Sequence, residues 1–415
     1  MEMDNLESVY WLKNVRLESG YTFENGEVVG TETELVHLLI ENGKISEIAS
    51  AKEELQSGGI STKDAGELLL LPSFVEKHCH LDKTLLGEPF RGVIPTKNLA
   101  ERFEIEKRVL PTLPSTTRER AENLLETLLK AGSTHVRTHV DIYPEVGLKN
   151  LEEVQLALSS FEGKLSHEIV AFPQHGLLRT GSQSLIREAL RNGAGIVGGV
   201  DPANIDGDIE ASLQQMMELA VEAGAGIDLH LHDPGHLGTF TMKRLAALTV
   251  EAGWQGKVAI SHAFGLGGVP QRETEEIAAI LADAGITIIT AVHIGPWTLP
   301  PVSILQEKGV TVAVGDDNIF DSWSPFGNGD ILERLCRLAE VNRWNSEYSL
   351  SQSIRYITDG KTTLDSTGKR VWPQIGDEAN AVFVEARSSA ETVARRAKRR
   401  AVMYKGQLVS GSLES

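Results

Sequence analysis

Between residues 68 and 345, short apolar runs rich in β-branched residues alternate with longer stretches whose apolar positions recur every three or four residues. The runs are Leu68–Val75, His135–Val140, Glu168–Phe172, Gly195–Val200, Gly226–Leu231, Lys257–Ser261, Thr287–Val292 and Val310–Val314. Helical patterns lie between them, among them Arg118–Ala131, Ser182–Asn192, Asp208–Ala223, Thr239–Ala252 and Glu273–Ala284. Gly132, Gly193, Gly224, Gly253 and Gly285 follow these patterns or end them, as helix-closing glycines do. Eight strands alternating with helices predict an α/β chain folded as a (β/α)8 TIM barrel, with a doubly wound open sheet as the alternative.

The flanks have a different rhythm. Residues 1–67 hold short alternating strands broken at Glu24-Asn-Gly26 and Glu41-Asn-Gly43, and residues 361–415 hold two more strand-like runs, Ala379–Val384 and Arg400–Val409. Each flank is too short for a core of its own, so both are expected to pair into one small β-sandwich domain beside the barrel of residues 68–360.

Composition narrows the functional classes. With 415 residues, 41% hydrophobic and 24% charged, the chain is that of an ordinary globular protein. A net charge of −18 argues against nucleic acid as a partner, because Lys and Arg would have to dominate such a surface. The one basic run, Arg395-Arg-Ala-Lys-Arg-Arg400, is read as a solvated surface. No apolar run approaches the ~18 residues of a membrane span. Two distant cysteines, Cys79 and Cys336, make no disulfide framework. The start, Met-Glu-Met-Asp, lacks an apolar signal region, so a cytoplasmic protein is expected, and a homo-oligomer is left open.

The candidate chemistry lies where the strands end. The first run terminates in His78 and His80, two positions apart, so an extended strand aims both imidazoles at one point. The second ends in His139 and Asp141, the third in Gln174 and His175, and the fourth in Asp201. The fifth carries His230, His232 and Asp233, the sixth His262, the seventh His293, and the eighth Asp316 and Asp317. Eight of the 12 histidines therefore sit at the end of the strands where barrel enzymes place their catalytic groups. His78, His80, His230 and Asp317 form a ligand set for one divalent cation, Zn2+ or Fe2+, with a position left for water. His139, His175 and His293 are left open between structural and functional roles.

Other chemistries drop out. Gly193-Ala-Gly-Ile-Val-Gly198 has dinucleotide-loop spacing but leads from a helix into a strand, the reverse of the required context. There is no HExxH, no GxSxG and no H-x-E…P-C-x-x-C pattern.

With these residues assembled, the chain resembles the amidohydrolase superfamily, specifically its cytosine-deaminase-like branch. The likeness is carried by Phe74-Val-Glu-Lys-His-Cys-His-Leu-Asp82, Val136-Arg-Thr-His-Val-Asp141, Ile169-Val-Ala-Phe-Pro-Gln-His-Gly176, Ser261-His262 and Asp317-Asn-Ile-Phe-Asp-Ser-Trp323. The chain departs from the cytosine pattern in His230-Leu-His-Asp-Pro234, Asn318 and Lys83. Those departures, with Val197-Gly-Gly-Val-Asp-Pro202 and Pro325-Phe-Gly-Asn-Gly-Asp330, are similar to the isopropylammelide-hydrolysing, triazine-ring members of the branch.

The resemblance implies one metal held by His78, His80, His230 and Asp317, the last preferred over Asp316 by its spacing to Trp323. It implies removal of ammonia or a small amine from a small nitrogen heterocycle. Asp317 would take the proton of the attacking water, while His262 and His232 would stabilise or protonate the adduct. Gln174, Trp323, Asp233 and Asn318 would meet the substrate. Lys83 has two open roles, orienting the ring or pairing with an acid such as Asp82. Asp201, where a lysine would be needed for a bridging carbamate, favours a single metal. Two competing readings are hydrolysis of a cyclic ureide on the same metal and a non-catalytic metal-binding barrel.

Overall fold

The computed structural model describes residues 9–413. Eight parallel strands pair in sequence order: β1 (Phe74–Cys79), β2 (Ser133–Asp141), β3 (Ser166–Phe172), β4 (Ile196–Val200), β5 (Gly226–His230), β6 (Val258–Ser261), β7 (Thr287–Thr290) and β8 (Val312–Val314). The sheet closes on itself where Cys79 bridges Asp317 and the Asp317 N–H donates to the His78 carbonyl at 2.6 Å. The closure needs Gly315, because a Cβ there would lie 2.4 Å from the His78 Cβ. This is the expected TIM barrel.

The helices form where the pattern placed them, as Thr117–Ala131, Gln183–Arg191, Ile209–Ala223, Gly235–Glu251 and Gln271–Asp283. The first shows why local sequence suffices. Thr116 and Glu119 make a reciprocal capping box, and Gly132 closes the other end at φ 114°. Each helix lays an apolar stripe, such as Leu124, Leu125 and Leu128, against the outer faces of the strands.

The run read as one strand over Leu68–Val75 is two. Leu69–Pro72 belongs to the small domain, pairing with Ala381–Val384 and with Val9–Glu24, and the barrel begins at Phe74. Pro72 has no N–H to continue a ladder, and the Ser73 N–H is spent on the Asn380 carbonyl. The small domain is one mixed sheet of eight strands drawn from both ends of the chain. The run expected over Arg400–Val409 is a hairpin of Arg399–Tyr404 and Gln407–Gly411 that turns through Lys405 and Gly406, both at positive φ. Tyr10, Leu12, Leu38, Phe383 and Met403 lie in its separate core.

Between β1 and the Thr117–Ala131 helix, the chain adds a helix, Leu99–Val109, over the barrel mouth. No helix among the described residues is long and apolar enough to cross a membrane.

Candidate active site

Asp201, His262, Val292 and Asp317, just past the ends of β4, β6, β7 and β8, have φ values of 35°, 72°, 53° and 60°. Left-handed backbone at a non-glycine residue costs about 1–3 kcal/mol and gathers at functional sites. Here the turns are pinned by the neighbouring strands. The Asp201 N–H donates to the His230 carbonyl and the His262 N–H to the Ile289 carbonyl.

The imidazoles of His78, His80 and His230 converge, with ring centroids 4.5 to 5.5 Å apart. Asp317 faces them. Its Oδ1 lies 3.2 Å from His80 Nε2 and 3.5 Å from His78 Nε2. Asp316 is turned away, paired with Arg334 at 3.1 Å. His78 Nε2, His80 Nδ1, both nitrogens of His230 and both of His262 are buried without a hydrogen-bond partner. Buried polar atoms are rarely left unpaired, and each such atom costs about 1–3 kcal/mol.

A cation explains them. One nitrogen from each of His78, His80, His139 and His230 falls within 4.8 Å of the others, as do ligand atoms of His78, His262 and Asp317. Burial above all lowers the pKa of His80, His230 and His262 and holds those rings neutral, joined by Lys83 for His80 and by neighbouring imidazoles for His230 and His262. Neutral imidazole is the form that binds a metal. Asp317 stays ionised: burial opposes it, but His262, His293, His78 and His80 pull its pKa well below the carboxylate range. The residues present fit a divalent cation.

His293, left open by the sequence, reaches the other oxygen of Asp317, with Nε2 3.1 Å from Oδ2. His139 stands within the imidazole group, 4.0 Å from the His78 ring. His175 does not join it and packs instead between Phe103 and Tyr143. His232 anchors Nδ1 on Asp201 Oδ2 at 2.9 Å and stacks on His262 at 4.6 Å. Burial works against its charge, but Asp201 raises its pKa above the usual histidine value.

The cleft above the cluster is lined by Leu99, Phe103, Phe172, Gln174, Asn318 and Trp323 as well as His232 and His262. Asp233 and Lys83 are not among these lining residues. Asp233 Oδ1 accepts from Asn204 Nδ2 at 2.5 Å. Lys83 lies behind Gln174, donating to both oxygens of Asp141 at 2.9 and 3.0 Å and to Gln174 Oε1 at 2.5 Å. Its partner is not Asp82, which accepts the Asp141 N–H. Burial disfavours the ammonium, but Asp141, Glu106 and Asp82 hold its pKa well above that of an ordinary lysine.

Glu106 is the residue the sequence did not single out. It lies on the mouth helix with Leu99 and Phe103, positions seven, three and zero apart, hence on one face. Its carboxylate accepts from Gln174 Nε2 and from Trp323 Nε1, both at 2.6 Å. A lone carboxylate on an otherwise apolar stripe was the available signal. Asn318 donates to Asp321, which also accepts the Trp323 and Ser324 N–H groups, so Asp321 shapes the loop that presents Trp323.

Residues 91–410 match the model of the amidohydrolase family. The chain belongs to that family. It is therefore an enzyme, a hydrolase of C–N bonds. It is 40% identical over 409 residues to YahJ, an uncharacterized protein of Escherichia coli strain K12, covering 97% of this chain and 88% of that one. The crystal structure of N-isopropylammelide isopropylaminohydrolase from Burkholderia multivorans superposes with a TM-score of 0.85 at 29% identity, covering 98% of this chain and 99% of that one. That of 5-methylcytosine deaminase from Klebsiella pneumoniae, with 5-fluorocytosine bound, gives 0.80 at 26%, covering 97% of each.

Proposed function

We propose that this amidohydrolase removes ammonia or an alkylamine from a ring carbon of a nitrogen heterocycle, using one Zn2+ or Fe2+ held by His78, His80, His230 and Asp317. The observation that carries the reading is the set of unpartnered imidazole nitrogens gathered opposite Asp317. Two similar structures support the ring class, since their names specify an N-alkylated triazine and a methylated pyrimidine. When bound, such a cation lowers the pKa of water from ~15.7 toward ~7, which supplies hydroxide at neutral pH.

The protein's own groups do the rest. Asp317, ionised and faced by four imidazoles, accepts the proton of the attacking water. His262, on the cleft wall, hydrogen-bonds the oxygen that the ring carbon gains. His232, oriented by Asp201, delivers a proton to the departing nitrogen. Gln174 meets the ring as an acceptor. Both its N–H donors go to Glu106 and Asp141, while Oε1, already accepting from Lys83, keeps one lone pair. That favours a ring bearing an N–H, as a lactam does. Trp323, held by Glu106, walls the cleft beside it.

Purified, metal-quantified protein assayed on amino- and alkylamino-substituted pyrimidines and triazines should release ammonia or amine. Dihydropyrimidines and hydantoins should not be opened. Ring opening without amine release would replace the proposal with ureide hydrolysis. Two metals per chain, with activity following the second, would overturn the single-metal site.

A further inference from the structure

Beneath the imidazole cluster, the barrel interior holds a hydrogen-bonded chain drawn from five strands. His78 Nδ1 lies 2.8 Å from Ser261 Oγ, and Ser261 Oγ donates to Asp228 Oδ1 at 2.7 Å. Asp228 Oδ2 accepts from Arg137 Nη1 at 3.0 Å, and Arg137 Nε is held in turn by Glu168, also at 3.0 Å. Asp228 and Ser261 are fully buried. The strand period explains the two levels. Arg137 and His139 are two apart on β2, as are Asp228 and His230 on β5, so each strand supplies one residue to the cluster and one to the level below.

Proton counting along this chain has one solution. Arg137 Nη1, 3.0 Å from Asp228 Oδ2, pairs a guanidinium with this buried acid and so marks it as a carboxylate. A carboxylate only accepts, so the single Ser261 proton points at Asp228. The Ser261 lone pair then faces His78, and Nδ1 must carry the hydrogen. Nε2 is left bare, without a partner, 3.5 Å from Asp317.

We infer that Ser261, backed by Asp228 and Arg137, is a positioning residue that fixes the His78 tautomer and so tunes how tightly the cluster holds its cation. The inference rests on His78 being a ligand, as proposed above. Outer-sphere partners of metal-binding histidines are typically worth ~10–100-fold in metal affinity.

The test uses Zn2+ and the full chain. S261A should bind Zn2+ ~10–100-fold more weakly, by competition with a chromophoric chelator, while S261T, which keeps the hydroxyl, should stay within about threefold of the parent. Unchanged affinity in S261A would overturn the inference. His78→Ala separates the two levels. If it keeps full Zn2+ affinity, the ligand assignment falls; if it loses Zn2+ while S261A does not, only the positioning role falls. Should S261A fail to fold, histidine-selective 15N NMR of the unsubstituted metal-free protein decides. The His78 signal, assigned by its absence in H78A, should report Nδ1–H, and an Nε2–H tautomer would refute the inference.

Discussion

Two buried polar clusters share the barrel mouth and are in opposite states. Around His78, His80, His230 and His262, ring nitrogens stand without partners. A few ångströms away, Lys83, Asp141, Gln174, Glu106 and Trp323 fill one another's hydrogen bonds. The first arrangement makes sense only with something added, and the second only as it stands. An open cluster marks where a ligand completes the structure, and a closed one marks the scaffold that holds the cleft in shape. A third grouping with metal-like spacing, His80, Asp82 and Asp141, illustrates the distinction, because the Lys83 ammonium already sits on Asp141.

His232 straddles the two states and so gives the largest expected effect. One ring nitrogen is anchored on Asp201, and the ring lines the cleft. His232→Asn should leave bound metal per chain unchanged and lower turnover by ~10²–10⁴-fold, the range for a positioned acid–base group. Loss of metal together with activity would move His232 into the open cluster. Unchanged turnover would remove it from the chemistry.

Next comes the closed cluster's cation. Lys83→Met leaves Asp141 and Glu106 buried beside an apolar chain, and breaking such a buried pair costs about 3–5 kcal/mol of stability. Urea denaturation of the metal-free variant measures this loss directly. A neutral result would mean that the acids take up protons at little cost and that the cluster is less closed than its hydrogen bonds imply.

How much of this contrast the sequence carried depends on how far its causes reach along the chain. The barrel and the metal-facing residues were legible because strand period and strand ends are local properties. His78, His80, His230 and Asp317 follow apolar runs that could be counted. The closed cluster was not legible. Lys83, Glu106, Asp141, Gln174 and Trp323 come from five separate segments, and only the barrel's closure brings them together. The partners of Asp233 and Asp82 were not legible either, because Asn204 and Asp141 lie 29 and 59 positions away. Ser261 stood inside a quoted motif, yet its partners Asp228 and His78 lie 33 and 183 positions away.

Glu106 offers the smallest and most discriminating test. Its two oxygens serve two donors, the buried Gln174 Nε2 and the half-buried Trp323 Nε1. Glu106→Gln keeps the shape but leaves a single acceptor oxygen, so one of those donors must face an NH2 group. An unsatisfied buried donor costs about 1–3 kcal/mol, less than the loss of Lys83 because no charge is stranded without a partner. The Gln174 amide would gain freedom to turn, and Trp323 would lose its tether. KM should therefore rise more than kcat falls, with altered Trp fluorescence and unchanged Zn2+ affinity. A change in Zn2+ affinity would mean that the two clusters are one coupled unit, whereas an unchanged KM would show that the cleft keeps its shape without Glu106.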